Sequence, residues 1–206
     1  ILYNAIDTNL FIPFKKPFKK DFIFLITCNI RKKSFYRIST VIDAFKDLII
    51  ENKNIHLKIA GNIEDENYLF KKIRLLKLNE NITFIKGYTQ KDAPYIYAEA
   101  DAYITMAYQD NCPSAVIEAL SCGLPILYSN SGGIPELVGS DSGIGLKVKE
   151  NWETIQVPSS SEIKNGMKEI IEYKNKMSEA ARERAVKYFD IQDWIKKHNE
   201  IFKEFL

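Results

Sequence analysis

A regular exchange between two hydrophobic periods constrains this chain more than any other feature. Phe22 to Thr27 (FIFLIT) is a nearly continuous apolar run of strand length, the pattern of a strand buried on both faces. Ile38, Val41, Ile42, Phe45 and Ile49 then recur at the spacing of an amphipathic helix. The exchange continues with a strand over Ile55 to Ala60 that ends at Gly61, and a helix over Asp65 to Leu76 with Leu69, Ile73 and Leu76 on one face. Next come a strand over Ile82 to Ile85, a helix over Lys91 to Ala98 and a strand over Ala102 to Met106. A helix over Pro113 to Cys122, a strand over Pro125 to Ser129 and a short helix from Ile134 to Val138 complete the alternation. Strands and helices in this order predict an α/β fold, a Rossmann-like doubly wound parallel sheet with right-handed crossovers and helices on both faces. From Ser159 onward the pattern is helical, with Trp194, Ile195, Ile201 and Phe202 expected as apolar anchors.

Composition narrows the function classes. With 46% hydrophobic and 27% charged residues the chain is globular, and a net charge of only +2 gives no broad field for nucleic acid or an anionic membrane. Lys15, Lys16, Lys19 and Lys20, set among Phe14, Pro17 and Phe18, read as a solvated linker face. No apolar run approaches the ~20 residues needed to span a bilayer. The opening Ile1-Leu2-Tyr3-Asn4 lacks the layout of a signal peptide and reads as a cut from a longer chain. Cys28, Cys112 and Cys122 are odd in number and lack metal-ligand spacing, so a reducing compartment, the cytoplasm, is expected.

In a parallel sheet of this kind ligands bind beyond the carboxyl ends of the strands. Two consecutive strand-to-helix turns there carry the chemistry. In the first, Asp110-Asn111-Cys112-Pro113-Ser114 opens a helix with Pro113 at its first position, where a missing N–H costs nothing, and Gly123 is its expected left-handed stop. Glu118 lies inside that helix among Val116, Ile117, Ala119 and Leu120, where an unpaired carboxylate is costly to bury. In the second, Ser131-Gly132-Gly133 precedes Ile134-Pro135-Glu136, and paired glycines let a ligand approach the backbone. Two helix N-termini with unpaired N–H groups, a hydroxyl-bearing glycine turn and several carboxylates suit a diphosphate flanked by polyhydroxylated groups. Taken singly, Asp110 and Glu136 are ordinary partners of a helix dipole, as is the cluster Glu64-Asp65-Glu66. No D-x-D is present, and His56 in a strand and His198 in the terminal helix read as structural. A phospho-receiver domain is excluded, because Thr27, Cys28 and Asn29 stand where its acidic cluster belongs.

Asp110 and Glu118, with seven residues between them, are similar to the E-x7-E signature of family 4 retaining glycosyltransferases of GT-B fold. Glu118-Ala119-Leu120-Ser121-Cys122-Gly123-Leu124-Pro125-Ile126 resembles that family's E-A-x-A-x-G-x-P-V segment, and Ser131 to Val138 resembles its G-G-x-x-E continuation. The head, Tyr3-Asn4-Ala5-Ile6-Asp7 to Pro13, is similar to the stretch that links the two GT-B domains, and Phe35-Tyr36-Arg37 and Gly87-Tyr88-Thr89-Gln90 fit the same domain. The resemblance implies that residues 1–20 are an interdomain linker remnant, 21–158 a nucleotide-sugar-binding domain and 159–206 the helices that complete it. It also implies that Asp110 meets the donor-sugar hydroxyls, that Asn111, Cys112, Pro113 and Ser114 wrap the sugar and phosphate, and that Glu118 binds the ribose. Tyr88 would lie near the base, and Gly132 and Gly133, after Ser131, below the diphosphate. The basic pair for the diphosphate would be Arg31 and Lys33, with Lys32 and Arg37 as alternates, an Arg offering a fork and a Lys a point charge. Two departures stand out: Asp110 is one methylene shorter than the family's Glu, and Pro113 cannot donate an N–H.

The implied reaction is metal-independent transfer of a hexose-type sugar, with retention, from a nucleotide diphosphate to a glycan or lipid-linked acceptor, and no further cofactor is expected. The acceptor side belongs to an N-terminal domain that this chain lacks, so the isolated chain is expected to bind donor with little turnover. Any peripheral attachment at the inner face of a membrane would come through that half. Two rivals are a non-catalytic nucleotide- or partner-binding module and a sugar-nucleotide 2-epimerase of the same fold, which would need further carboxylates and His in the cleft.

Overall fold

Strands form where the apolar runs are longest, and helices where the period lengthens. The computed structural model of the chain describes residues 3–14, 21–29, 35–62, 64 and 66–204. Its elements are β1 (Phe22–Thr27), α1 (Phe35–Glu51), β2 (Ile55–Ala60), α2 (Glu66–Leu75), β3 (Ile82–Ile85), α3 (Ala93–Ala98) and β4 (Ala102–Thr105). They continue with α4 (Ser114–Ser121), β5 (Ile126–Asn130), α5 (Ile134–Val138), β6 (Gly143–Lys147), α6 (Ser160–Phe189) and α7 (Ile191–Lys203). The strands form one parallel sheet in the order β3-β2-β1-β4-β5-β6, the doubly wound arrangement expected. Within β1 the side chains alternate between two cores: Ile23 and Leu25 join the cluster under α3, α4 and α5, while Phe24 and Ile26 join the one under α1 and α2.

Two expectations need correction. The strand β6 is absent from the sequence reading, because its GIGLK offers no continuous apolar run and its residues are half-buried or exposed along the sheet's edge. The expected anchors of the terminal helix do not anchor it: α7 buries no residue, Ile195, Ile201 and Phe202 are exposed, and Trp194 stacks instead on His198 at 3.5 Å between ring centroids. The anchoring falls to α6. Its first half puts Ile163, Met167 and Ile170 into one core, and its last turns put Ala181, Ala185 and Phe189 into the other. A capping box starts it, Ser159 and Glu162 exchanging side-chain bonds with each other's backbone N–H groups.

The helix α4, which carries the candidate site, is stopped as the sequence predicts. Gly123 has φ +70°, its N–H bonds to Leu120 O and the Leu124 N–H bonds to Ala119 O, a Schellman ending. The amino-terminal segment lies across this region. Ile6 N–H donates to Phe189 O, and Ile191 N–H to Ile6 O, so the segment pairs with the α6–α7 junction. Arg182 of α6 then ties segment and helix together, donating to Phe11 O (2.9 Å), Thr8 O (2.9 Å) and Ser121 O (2.8 Å). Replacing Arg182 with Met leaves those carbonyls without their charged donor, so a loss of about 3 kcal/mol is expected in a denaturant-midpoint measurement.

Candidate functional site

Strand order reverses between β1 and β4, and the crevice outside their carboxyl ends holds two adjoining cavities. One, of about 210 Å³, is walled by Thr105 at the end of β4 and Met106 and Ala107 after it, by Arg37 and Ile38 of α1, and by Asp110, Pro113 and Val116. The other, of about 390 Å³, is walled by Gly61 and Asn62 after β2, Gly87 and Tyr88 after β3, and Glu118. Thr27, Cys28, Asn29 and Ala115 line both, so the two are compartments of one cleft. The structure therefore brings Asp110, Pro113, Glu118 and Tyr88 together at one rim of the sheet. The helices that start there are α1 and α4 on either side of the crevice. The expected pair was α4 and α5; α5 also starts at this edge, after β5, and is five residues long with Pro135 in its first turn.

Glu118 is the electrostatic centre of the larger compartment. Burial raises its carboxyl above the ordinary range, and a hydrogen bond from Tyr97 offsets only part of that. Beneath it lies a set of hydroxyls that the sequence does not announce: Thr27 Oγ1 is 3.0 Å from the Tyr97 hydroxyl and 2.9 Å from that of Tyr103. Both tyrosines are almost completely buried, at 0% and 1% exposure, and burial pushes both phenols up. At Tyr88 burial likewise raises the phenol, opposed by a hydrogen bond with Thr27 and reinforced by the charge of Glu118. Cys28, in the shared wall, is pushed up to about 11 by burial although Arg37 pulls it down, so its thiol stays protonated at neutral pH.

The loop before α4 is clamped at every step. Gln109 adopts a left-handed conformation, φ +55°, and is held there by Ser131 Oγ, which accepts its N–H at 3.1 Å, and by Asn151 O, which accepts its side-chain amide at 3.0 Å. Gly133 N–H donates to Asp110 O at 2.9 Å. The Cys112 carbonyl accepts from Asn4 Nδ2 at 2.9 Å. Pro113 has φ −68° and ψ 115° and precedes the helix as its cap, one position earlier than expected, with Ser114 first in the helix.

The glycine turn serves this loop. A Cβ on Gly132 would stand 2.5 Å from Asp110 O, and one on Gly133 only 1.9 Å from Asn111 O. Ser131 is 2% exposed, and none of the three residues lines either compartment. The paired glycines thus permit a close approach between two stretches of backbone, this turn and the loop that carries Asp110. Glu136 accepts the Tyr3 hydroxyl at 2.5 Å.

Arg31, Lys32 and Lys33 lie outside the described residues, as do Asp65 and the lysines at 15, 16, 19 and 20. Of the four basic candidates Arg37 is described, and it faces the Asp110 compartment. Asn111, Cys112 and Ser114 border the loop and helix start without lining either compartment. His56 bonds Thr83 at 2.8 Å and His198 bonds Trp194 O at 2.8 Å, both away from the cleft. Among the described residues no group of three or more His, Cys, Asp or Glu is arranged to hold a metal ion, and no helix is long and apolar enough to cross a membrane. The walls that sequence reasoning missed are Thr27, Asn29, Gly61 and Asn62. Glycines closing two strands at positive φ, Gly61 and Gly87, were the available signal.

A family model described as "Glycosyl transferases group 1" matches residues 9–184. The O-antigen chain mannosyltransferase B of Escherichia coli is 37% identical over 59 residues, covering 28% of this chain and 15% of its own length. The structure of Anabaena Alr3699/HepE in complex with UDP superposes with a TM-score of 0.80 at 19% identity, over 98% of this chain and 57% of that one. The C-terminal domain of the glycosyl transferase group 1 family protein LpcC from Francisella tularensis superposes with a TM-score of 0.72 at 18% identity, over 91% of this chain and 100% of that one. This chain spans 15%, 28% and 53% of three curated relatives, about half of their length at most.

Two stability measurements check the local geometry. A carboxyl raised by burial holds its proton to higher pH when folded than when unfolded, so its ionisation opposes folding as pH rises through the raised value. That penalty shrinks as pH falls through the raised value and is gone below the unfolded one. Glu118→Gln is therefore expected to raise the thermal midpoint at pH 7 slightly, on the order of 1 °C, with the gain shrinking on acidification. Gly133→Ala drives a methyl group into the Asn111 carbonyl, and chemical denaturation is expected to show a loss of about 2 kcal/mol or more.

Proposed function

This chain belongs to the glycosyl transferases group 1 family, and from that membership we propose that it is the nucleotide-sugar-binding half of a retaining, metal-independent glycosyltransferase of family 4. Its residues 1–20 would connect to a second domain, 21–158 would bind the donor, and 159–206 would complete the fold. The observation that carries this reading is the shared cleft: Asp110 and Glu118 sit in two compartments with four wall residues in common, at the point where the strand order reverses. In the larger compartment Glu118 accepts hydrogen bonds from the ribose, and Tyr88 borders the base. In the smaller, Asp110 meets the sugar hydroxyls while the starts of α1 and α4, with Arg37, face the diphosphate. Arg31 and Lys33 complete the basic set that neutralises charge as the sugar–phosphate bond breaks. That UDP is bound in the superposable Anabaena structure supports a nucleoside diphosphate as the leaving group.

A hexose-type donor sugar and a glycan or lipid-linked acceptor fit the relatives' names, such as the O-antigen chain mannosyltransferase. Acceptor binding would fall to the second domain, with the protein in the cytoplasm or peripheral at the inner face of a membrane. One observation favours the rival of a binding module without turnover: Asp110 is shorter than the family's Glu and lies exposed on its loop. An epimerase is disfavoured, because no His faces either compartment.

Calorimetry with a panel of nucleotides tests the proposal. One nucleoside diphosphate is expected to bind with micromolar affinity, and Glu118→Ala to weaken it roughly tenfold or more. Because burial raises the Glu118 carboxyl, affinity is expected to fall on acidification starting above the ordinary carboxylate range. No binding by any nucleotide would overturn the donor-site reading. The isolated chain is expected to show little transfer to a sugar acceptor, and substantial turnover would contradict the division of labour.

A further inference from the structure

The loop that carries Asp110 is held from three directions, and one of them is the amino-terminal segment. Clamps from the β5–α5 turn and from Asn151 secure Gln109 and Asp110. The next fixed point is the peptide between Cys112 and Pro113. A peptide nitrogen in proline carries no hydrogen, so this unit has a single polar handle, the Cys112 carbonyl. Asn4 Nδ2 occupies it at 2.9 Å, from 108 positions away in sequence.

Asn4 is itself kept in place by its neighbours. The Tyr3 ring meets Phe189 edge-on at 5.5 Å, and its hydroxyl bonds Glu136. Ile6 pairs with the backbone on both sides of Asp190. With Tyr3 on one side and Ile6 two residues on both tethered, the backbone at Asn4 loses little further freedom in forming this exposed bond.

We infer that Asn4 is a positioning residue for the donor sugar: by fixing the Cys112–Pro113 peptide it sets Asp110 and the start of α4 toward the smaller compartment. The inference rests on the donor-site reading above. Asn4 acts on the compartment lined by Asp110 and Pro113, and among the described residues no hydrogen bond joins it to the walls of the other, Glu118, Tyr88, Gly61 and Asn62. Loss of Asn4 therefore separates the sugar from the nucleoside in a way that general destabilisation does not.

The test compares affinities of the whole chain for UDP against UDP-glucose and for GDP against GDP-mannose, by calorimetry. In Asn4→Ala the preference for the nucleotide-sugar over its bare nucleotide is expected to fall about fivefold, the bare nucleotide losing less because only its diphosphate meets the smaller compartment. Asn4→Asp, which sets carboxylate oxygens against a carbonyl oxygen, is expected to lose more. Asn4→Gln, which keeps the amide, is expected to regain part of the preference. An unchanged preference in Asn4→Ala, or an equal loss for both members of a pair, overturns the inference while leaving the donor site intact. If the parent chain binds none of the four ligands, the donor-site reading itself falls and takes the inference with it.

Discussion

The crevice between β1 and β4 is the constraint on which the rest depends. The connection from β1 leaves toward β2 on one side, and the chain returns through α3 to β4 on the other. Among the described residues no helix crosses the gap between them, and a hollow lies outside the strand ends there. Residues from the first turns of α1 and α4, Arg37 and Ile38 on one side and Ala115 and Val116 on the other, line that hollow. Every feature assigned to ligand recognition, from Arg37 to Glu118, follows from this one topological choice.

The hollow is maintained at a cost to folding. A carboxylate is partly withdrawn from water at Glu118, and a non-glycine residue is held left-handed at Gln109. These unfavourable terms persist because the surroundings over-determine them. Asn151 O takes bonds from both the Tyr108 hydroxyl and the Gln109 amide, and the Asn151 N–H returns to Tyr108 at 2.8 Å. The Thr27 hydroxyl sits between two buried tyrosines and links their hydroxyls beneath Glu118.

Legibility in the sequence tracked how strongly a residue's own neighbours dictate its state. FIFLIT and IHLKIA read as strands because both faces are buried, and Gly123 read as a helix stop because a Schellman ending needs a residue tolerant of positive φ. GIGLK escaped because an edge strand is defined by its partner, β5, and not by its own hydrophobicity. Glu118 was legible as a carboxylate in apolar company. Thr27, Tyr97 and Tyr103 were not, because only the pairing of β1 with β4 and the packing of α3 bring their hydroxyls together. The glycine turn was legible as a place where backbone must come close, but its approach to the Asp110–Asn111 backbone was not, because that neighbour is set by the pairing of β4 with β5.

The helix α6 runs for 30 residues and contributes side chains to the cores on both faces of the sheet. A single rod embedded in two separate oily layers couples their melting. Neither layer can lose order without stripping cover from a helix that the other still grips. The chain should therefore come apart in one concerted step, and amide protons deep in β1 and β4 should exchange with solvent only when that whole step occurs.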